Sequence, residues 1–197
     1  MIRAVHNRCF VDFQALDLPI SSTEALALLK KHGFTAHQVD AVAEASHHIG
    51  RATFRLGVTM SETPSTFDCS AFTKWSYGRK GVWLPRLAIQ QFACGYAVER
   101  HNISRGDLIF TSGYCSTAWA IGHVGLYTGQ SVITAMIHGK TSGVMELSLD
   151  ELLRHRIWRG ARRVIRHSRE CATLLAPTSI EIETSDDVKY FVLSRIT

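Results

Sequence analysis

Long apolar runs are missing from this 197-residue sequence, and no segment approaches the roughly 20 consecutive apolar residues of a membrane-spanning helix. Residues 1–13 contain no continuous apolar stretch of the kind found in secretory signals. The five cysteines are an odd count at wide spacings, and no CxxC pair occurs. We therefore predict no membrane span, no disulfide framework, no structural zinc or other metal site, and no cofactor.

Disorder is also excluded, because 46% of the residues are hydrophobic and 20% are charged, as in ordinary globular proteins. The length suits about one domain, and no internal repeat or low-complexity linker divides the chain. We predict an N-terminal helical segment over residues 1–34, a main domain over 35–167 and a C-terminal appendage over 168–197.

Acidic residues are outnumbered, so the net charge is +5, and the excess is concentrated in one stretch. Seven arginines fall within sixteen residues: Arg154, Arg156, Arg159, Arg162, Arg163, Arg166 and Arg169. They suit either a solvated strand edge, where cations prevent further pairing, or a surface that attracts an anionic polymer. We favour the strand edge. No nucleic-acid motif accompanies the arginines, so we expect no nucleic-acid partner.

Helix signals come first along the chain and strand signals follow. Capping boxes at Ser21 with Glu24 and at Thr35 with Gln38 predict two helices, the second extending to about His48. Short apolar runs between turn residues then predict an antiparallel sheet over 108–111, 123–128, 132–137, 143–147 and 157–165. Two further strands are predicted in the tail, over 180–183 and 190–193. This order indicates an α+β fold.

Cys69 and His123 are the residues most suited to chemistry. Cys69 follows Asp68 at the start of a predicted helix, where aligned peptide dipoles favour the thiolate, so we expect a lowered pKa. A cysteine nucleophile needs a base, and His123 begins a strand between glycines that leave open space above the sheet. The structural alternative is a buried cysteine and a hydrogen-bonded histidine with no catalytic role.

Six stretches of the sequence, in order, resemble the motifs of the NlpC family of papain-like cell-wall peptidases. They are 49–57 (IGRATFRLG), 67–72 (FDCSAF), 84–95 (LPRLAIQQFACG), 105–110 (RGDLIF), 122–129 (GHVGLYTG) and 159–164 (RGARRV). The resemblance implies a papain-like α+β fold, with N-terminal helices packed on a central antiparallel sheet of about five to six strands. It also makes 35–167 the catalytic domain.

The same resemblance implies roles for individual residues. Cys69 would be the nucleophile and His123 its base, while Asp68 and Ser70 would help to hold a free amine of the substrate. Thr134 stands where the family usually has a histidine that orients the base. His138, four residues later, is the alternative for that task.

Two aromatic residues complete the predicted site. Phe54 occupies the position of a family tyrosine near the nucleophile, so it keeps the ring and loses the hydroxyl. Trp119 lies shortly before His123 in a predicted loop, which makes it a candidate for substrate contact. We therefore expect both side chains to take part in substrate binding.

By this resemblance the protein is a cysteine peptidase acting on peptidoglycan or a muropeptide. It would hydrolyse D-γ-glutamyl–diamino acid bonds by a Cys–His thioester mechanism. The alternatives are a weak or inactive cell-wall-binding module of the same fold, since Phe54 and Thr134 depart from the family pattern, and a related amidase or acyltransferase. The resemblance implies the cell envelope or secretion, whereas the lack of an export signal predicts the cytoplasm; the two expectations stand side by side.

Overall fold

The computed structural model describes residues 1–114, 120–165 and 169–196. Contacts divide the chain into two compact units. The terminal unit comprises Met1–Asp40, Tyr77–Trp83 and His167–Thr197, and the central unit comprises Ala41–Ser76 and Leu84–Arg166. The three-part division drawn from the sequence stays a prediction, and the contacts group its two end segments together.

The described residues form seven α-helices and eleven strands. The helices are α1 Phe13–Leu16, α2 Ser22–Lys31, α3 Ala41–Ser46, α4 Cys69–Arg79, α5 Ala88–Gln91, α6 Leu149–Leu153 and α7 Ser185–Leu193. The strands are β1 Arg8–Asp12, β2 Thr35–His37, β3 Thr53–Phe54, β4 Thr66–Phe67, β5 Tyr96–Val98, β6 Leu108–Thr111, β7 His123–Tyr127, β8 Ser131–His138, β9 Thr141–Ser148, β10 Trp158–Arg163 and β11 Cys171–Leu175. Within the ranges that the structure describes, no helix has the length and apolar character needed to cross a membrane.

The terminal unit is built around a three-stranded antiparallel sheet in the order β1-β11-β2. The first predicted helix is confirmed as α2, with Ser21 as its N-cap and a reciprocal hydrogen bond from the Ser21 backbone to Glu24. Its apolar face joins residues from both ends of the chain in one core. The buried members include Val11, Leu29, Phe34, Leu174, Val188 and Val192.

The predicted helix over 35–48 is wrong in its first half. Thr35–His37 is strand β2, in which Ala36 pairs with Leu174 of β11, and the helix α3 begins only at Ala41. The Gln38 side chain, expected to cap a helix, instead donates to the Cys171 carbonyl at 2.7 Å. The partner strand lies more than 130 residues away, so no local pattern announces this pairing.

The predicted strand over 190–193 is also wrong, because these residues belong to helix α7. Thr184 is the N-cap of α7, and Asp187 completes a capping box by accepting from the Thr184 backbone at 2.8 Å. Val188 and Val192, one helical turn apart, are both buried in the terminal-unit core. Val192, which lies within the predicted strand, thus belongs to the apolar face of a helix.

The central unit contains six described strands in one antiparallel sheet, in the order β5-β10-β6-β7-β8-β9. The predicted α+β fold with a sheet of five to six strands is confirmed. The outer side of β9 is covered rather than open, because Val144 bonds to the backbone of Gly50 at 3.0 Å and of Ala52 at 3.1 Å. This contact places β3, and with it Phe54, beside the sheet.

The strand-edge interpretation of the arginines is wrong, since β10 lies between β5 and β6. Two of its arginines have structural partners within the central unit. Arg163 forms a forked ion pair with the buried Asp107 carboxylate, with both N···O distances at 2.9 Å. Arg162 lies over the Phe92 ring, 4.2 Å from the centroid, and donates to the Phe92 carbonyl at 2.6 Å. Contacts within the central unit therefore explain two of the seven arginines in the basic stretch.

Candidate active site

The candidate nucleophile Cys69 is the first residue of α4. Asp68 precedes it and caps the helix, because Oδ1 of Asp68 accepts from the Ala71 backbone at 2.8 Å and from the Ser70 hydroxyl at 3.2 Å. The other carboxylate oxygen accepts from the Gly57 backbone at 3.1 Å. Asp68 thus ties the loop before it to the helix that carries Cys69.

Arg86 holds the Asp68 cap in place. Its guanidinium donates to both carboxylate oxygens of Asp68, with the Nη1–Oδ1 distance at 3.0 Å, and also to the Ser70 hydroxyl at 3.0 Å. Burial raises the pKa of Asp68, but the hydrogen bonds from Arg86 and Ala71 outweigh burial, and the net pKa is lowered. Asp68 and Ser70 are therefore already engaged by a cation. Their binding of a substrate amine stays a prediction.

His123 begins β7 and is fixed by Thr134 on the neighbouring strand β8. The Thr134 hydroxyl donates to the Val124 carbonyl at 2.8 Å, and its oxygen lies 3.0 Å from Nε2 of His123. Because the hydroxyl has one proton and directs it to Val124, the oxygen accepts from Nε2–H. The tautomer that results leaves Nδ1 of His123 unprotonated and able to act as a base.

Gly125 allows this close approach of the two strands. A Cβ built on Gly125 would lie 2.3 Å from the Val132 side chain and 3.4 Å from the Thr134 side chain. A larger residue would push β8 away from β7, and Thr134 would lose its contact with His123. The glycine after the histidine in the GHVG motif thus has a packing reason.

The expected lowering of the Cys69 pKa is wrong in direction. Burial raises the pKa of the Cys69 thiol, and this outweighs hydrogen bonds from the backbone at Val124 and Ser70, which favour the thiolate. Val124 follows His123 directly, so the hydrogen bond places the Cys69 sulfur against the start of β7. Burial also lowers the pKa of His123 well below its usual 6.5. The resting pair is thus a neutral thiol and a neutral imidazole.

Both Cys69 and His123 line one cavity of about 560 Å³ in the central unit. Phe54 lines the same cavity, and its contact with a substrate stays a prediction. His138 instead lies 3.0 Å from the Glu151 carboxylate, so in this structure Thr134, not His138, contacts His123. Trp119 lies outside the described residues.

Arg156 is a cavity residue that sequence reasoning missed. Its Nη1 donates to the Ser112 carbonyl at 3.1 Å, and its guanidinium carbon lies 5.8 Å from the centroid of the Tyr114 ring. In the sequence it is one of seven similar arginines, and nothing local separates the one that reaches the cavity. One signal was available in its position, because Arg156 directly precedes the run over 157–165 that was predicted as a strand.

Comparison with known proteins agrees with this architecture. The sequence profile of the NlpC/P60 family matches residues 51–163, which confirms the resemblance seen in the motifs. Probable endopeptidase p60 of Listeria innocua is 37% identical over 103 residues, 52% of this chain and 20% of that protein. Peptidoglycan DL-endopeptidase CwlO of Bacillus licheniformis is 34% identical over 94 residues, 45% of this chain and 20% of that protein.

The chain thus spans about a fifth of the length of these curated relatives. Among solved structures, NlpC2 from Trichomonas vaginalis matches with a TM-score of 0.56 and 22% identity. The match covers 64% of this chain and 46% of that one. At this identity the likeness shows the fold.

Proposed function

Because the chain belongs to the NlpC/P60 family, we propose that its central unit is a cysteine peptidase that hydrolyses amide bonds in peptidoglycan stem peptides. One observation carries the proposal. Cys69 and His123 line the same cavity, and Thr134 holds the imidazole in the tautomer that leaves Nδ1 free. The catalytic roles of these three residues are part of the proposal.

The neutral resting pair suits general-base activation of the thiol. His123 Nδ1 takes the proton of Cys69 as the sulfur attacks the carbonyl carbon, and backbone N–H groups at the start of α4 stabilise the oxyanion. The imidazolium then gives its proton to the leaving amine, and a thioester remains on Cys69. Water attacks the thioester with His123 again as base, which releases the acid and restores the thiol.

The names of the relatives support a particular bond. An endopeptidase and a peptidoglycan DL-endopeptidase match this chain over 103 and 94 residues, and the family profile covers 51–163, which include Cys69 and His123. A DL-endopeptidase cleaves between a D- and an L-configured residue. In stem peptides this description fits the D-γ-glutamyl–diamino acid bond, which we propose as the substrate bond.

Mass spectrometry of defined muropeptides tests the proposal. The wild-type protein should release the amine product, and Cys69→Ala should reduce turnover by at least about 10⁴-fold, as removal of a nucleophile does in other hydrolases. Cys94→Ala is the matched control, because Cys94 is partly exposed and lies outside the cavity. Turnover by Cys69→Ala at the wild-type rate would contradict the assignment of the nucleophile.

A binding module of the same fold is the second candidate, and the raised pKa of Cys69 favours it, since a buried thiol is a weak nucleophile. In that case the wild-type protein and Cys69→Ala would bind muropeptides equally, and neither would cleave them. An amidase or acyltransferase would instead give a different product from the same substrates. The masses of the products therefore separate the three functions.

A further inference from the structure

Arg156 is held beside the Cys69–His123 pair by the end of β6. Ser112, the residue after that strand, accepts from the Arg156 guanidinium through its carbonyl at 3.1 Å. The backbone of Ser112 also donates to the Ile157 carbonyl at 2.9 Å, and its hydroxyl accepts from the Ile157 backbone at 3.0 Å. Three hydrogen bonds to one buried residue thus set the position of Arg156.

The cavity around Arg156 is otherwise mainly apolar. Of the described residues that line it, Arg156 is the one with a permanent charge. Leu56, Tyr114 and Ile137 line the cavity and are strongly exposed, so they form an apolar rim. A guanidinium in such surroundings favours an anion, and a carboxylate matches its forked donors.

We propose that Arg156 binds the free α-carboxylate of the γ-linked glutamate whose carbonyl is attacked by Cys69. This inference rests on the proposed function. In a γ-linked glutamyl peptide the scissile carbonyl belongs to the side chain, and the α-carboxylate stays free a few carbon atoms away. An α-linked glutamyl peptide instead keeps its side-chain carboxylate free, at the same number of bonds from the scissile carbonyl. Arg156 would therefore select a glutamyl residue whose second carboxylate is free over one in which it is amidated.

The electrostatic surroundings of the pair are consistent with this role. Burial is the main cause of the low pKa of His123, and the positive charge of Arg156 lowers that pKa further. A carboxylate bound to Arg156 would offset its charge, so His123 would accept the thiol proton more readily. We therefore expect the α-carboxylate to raise kcat as well as to lower KM.

Two substrates that differ in one group test the proposal. One muropeptide has the free α-carboxylate on the γ-linked D-glutamate, and the other has an α-amide. The wild-type enzyme should cleave the acid about tenfold faster than the amide, measured as kcat/KM, because a hydrogen bond to a charged group is lost. Arg156→Gln should abolish this preference, and Arg156→Lys should retain part of it.

Arg154→Gln is the matched control, since it removes the same charge from an exposed site outside the lining of the cavity. The preference for the acid should survive in this variant. If Arg156→Gln keeps the full preference, the proposal is overturned. If the enzyme instead discriminates between a free and an amidated carboxylate on the diamino acid, the assignment of the carboxylate to glutamate is overturned.

A second readout does not need a peptidase. Iodoacetate carries a carboxylate and iodoacetamide does not, so the ratio of their alkylation rates at Cys69 reports a carboxylate-binding cation nearby. We expect this ratio to fall about tenfold in Arg156→Gln and to stay unchanged in Arg154→Gln. If the protein cleaves no muropeptide but the ratio falls in Arg156→Gln, the proposed function is contradicted and the carboxylate site is supported. An unchanged ratio overturns the site itself.

Discussion

His123 is oriented by a neutral hydroxyl, and this shapes its acid–base behaviour. Thr134 accepts from Nε2–H but has no negative charge with which to stabilise an imidazolium, and burial already lowers the pKa of His123 well below 6.5. The imidazole of His123 is therefore neutral over the physiological range. A disfavoured imidazolium makes His123 a weak acceptor of the thiol proton but a strong donor of that proton to a leaving amine.

The pH profile of Thr134→Val tests this positioning role. His123 must be neutral to act as base, so the acidic limb of kcat/KM should lie below pH 6.5 in the wild-type protein. Valine has nearly the shape of threonine but accepts no hydrogen bond. We expect kcat/KM to fall about 10- to 100-fold and the acidic limb to move to still lower pH, since the imidazolium loses its acceptor.

Thr134→Ser is the control, because serine restores the oxygen and should restore most of the activity and the wild-type limb. Thermal unfolding of both variants reports any loss of stability at this buried position. If kcat/KM falls in Thr134→Val but the acidic limb does not move, Thr134 acts through packing and not through its hydrogen bond to His123.

At the scale of single residues, the sequence predicted a site of Cys69, His123 and Thr134, and the structure places the first two on one cavity and the third in contact with His123. The prediction was possible because these three residues stand in ordered motifs. Arg156 was missed, since only the fold distinguishes it from its neighbouring arginines. The direction of the Cys69 pKa was also missed, because the effect of the helix dipole can be read locally and the effect of burial cannot.

At the scale of the elements, an ion pair supports the N-terminus of α4. Arg86 forms a two-pronged contact with the buried Asp68 carboxylate, and the same carboxylate caps the helix that begins with Cys69. Removing the cation would leave a buried negative charge beside the thiol. The pair thus links the stability of the helix start to the position of Cys69.

Arg86→Leu should lower the free energy of unfolding by about 3 kcal/mol, because a buried carboxylate loses its partner. Arg55→Leu is the matched control. Arg55 pairs with Glu62 at an exposed site, where ion pairs contribute little, so its removal should change stability by less than about 1 kcal/mol. Urea unfolding measures both. Equal losses in the two variants would contradict a special role for Arg86.

The elements differ in how far the sequence predicted them. The run over 108–111 coincides with β6, and the runs over 123–128 and 132–137 fall on β7 and β8, because each is a buried strand between turn residues. β2 and β11 are short strands that depend on each other from distant parts of the chain. The residues of β2 carry no local strand signal strong enough to outweigh the capping-box pattern at Thr35.

On the scale of the whole molecule, the terminal unit has its middle strand supplied by the end of the chain. β11 pairs with β1 on one side and with β2 on the other, and Leu174 enters the core between them. Because β1 and β2 each pair with β11 in this sheet, no ladder of hydrogen bonds joins them without it. The residues drawn from sequence as an appendage therefore complete the terminal unit.

Leu174→Ala should destabilise this unit by about 3 kcal/mol, because the side chain is 1% exposed and its loss leaves a cavity. Leu175→Ala is the control from the same strand, since its side chain is 37% exposed. Alkylation of Cys9 reports opening, as burial raises the pKa of this thiol to about 12. Cys9 should react much faster in Leu174→Ala than in Leu175→Ala. Similar rates would contradict the closing role of β11.

The placement of β11 between two strands from the other end of the chain has a consequence during translation. A ribosome synthesises the whole of the central unit before it reaches β11, so the strands of that unit can pair before β11 exists. β1 and β2 are made earliest, yet at about 5–20 residues per second they wait several seconds for the strand that joins them. Over that interval the nascent N-terminal segment exposes apolar side chains to chaperones and proteases.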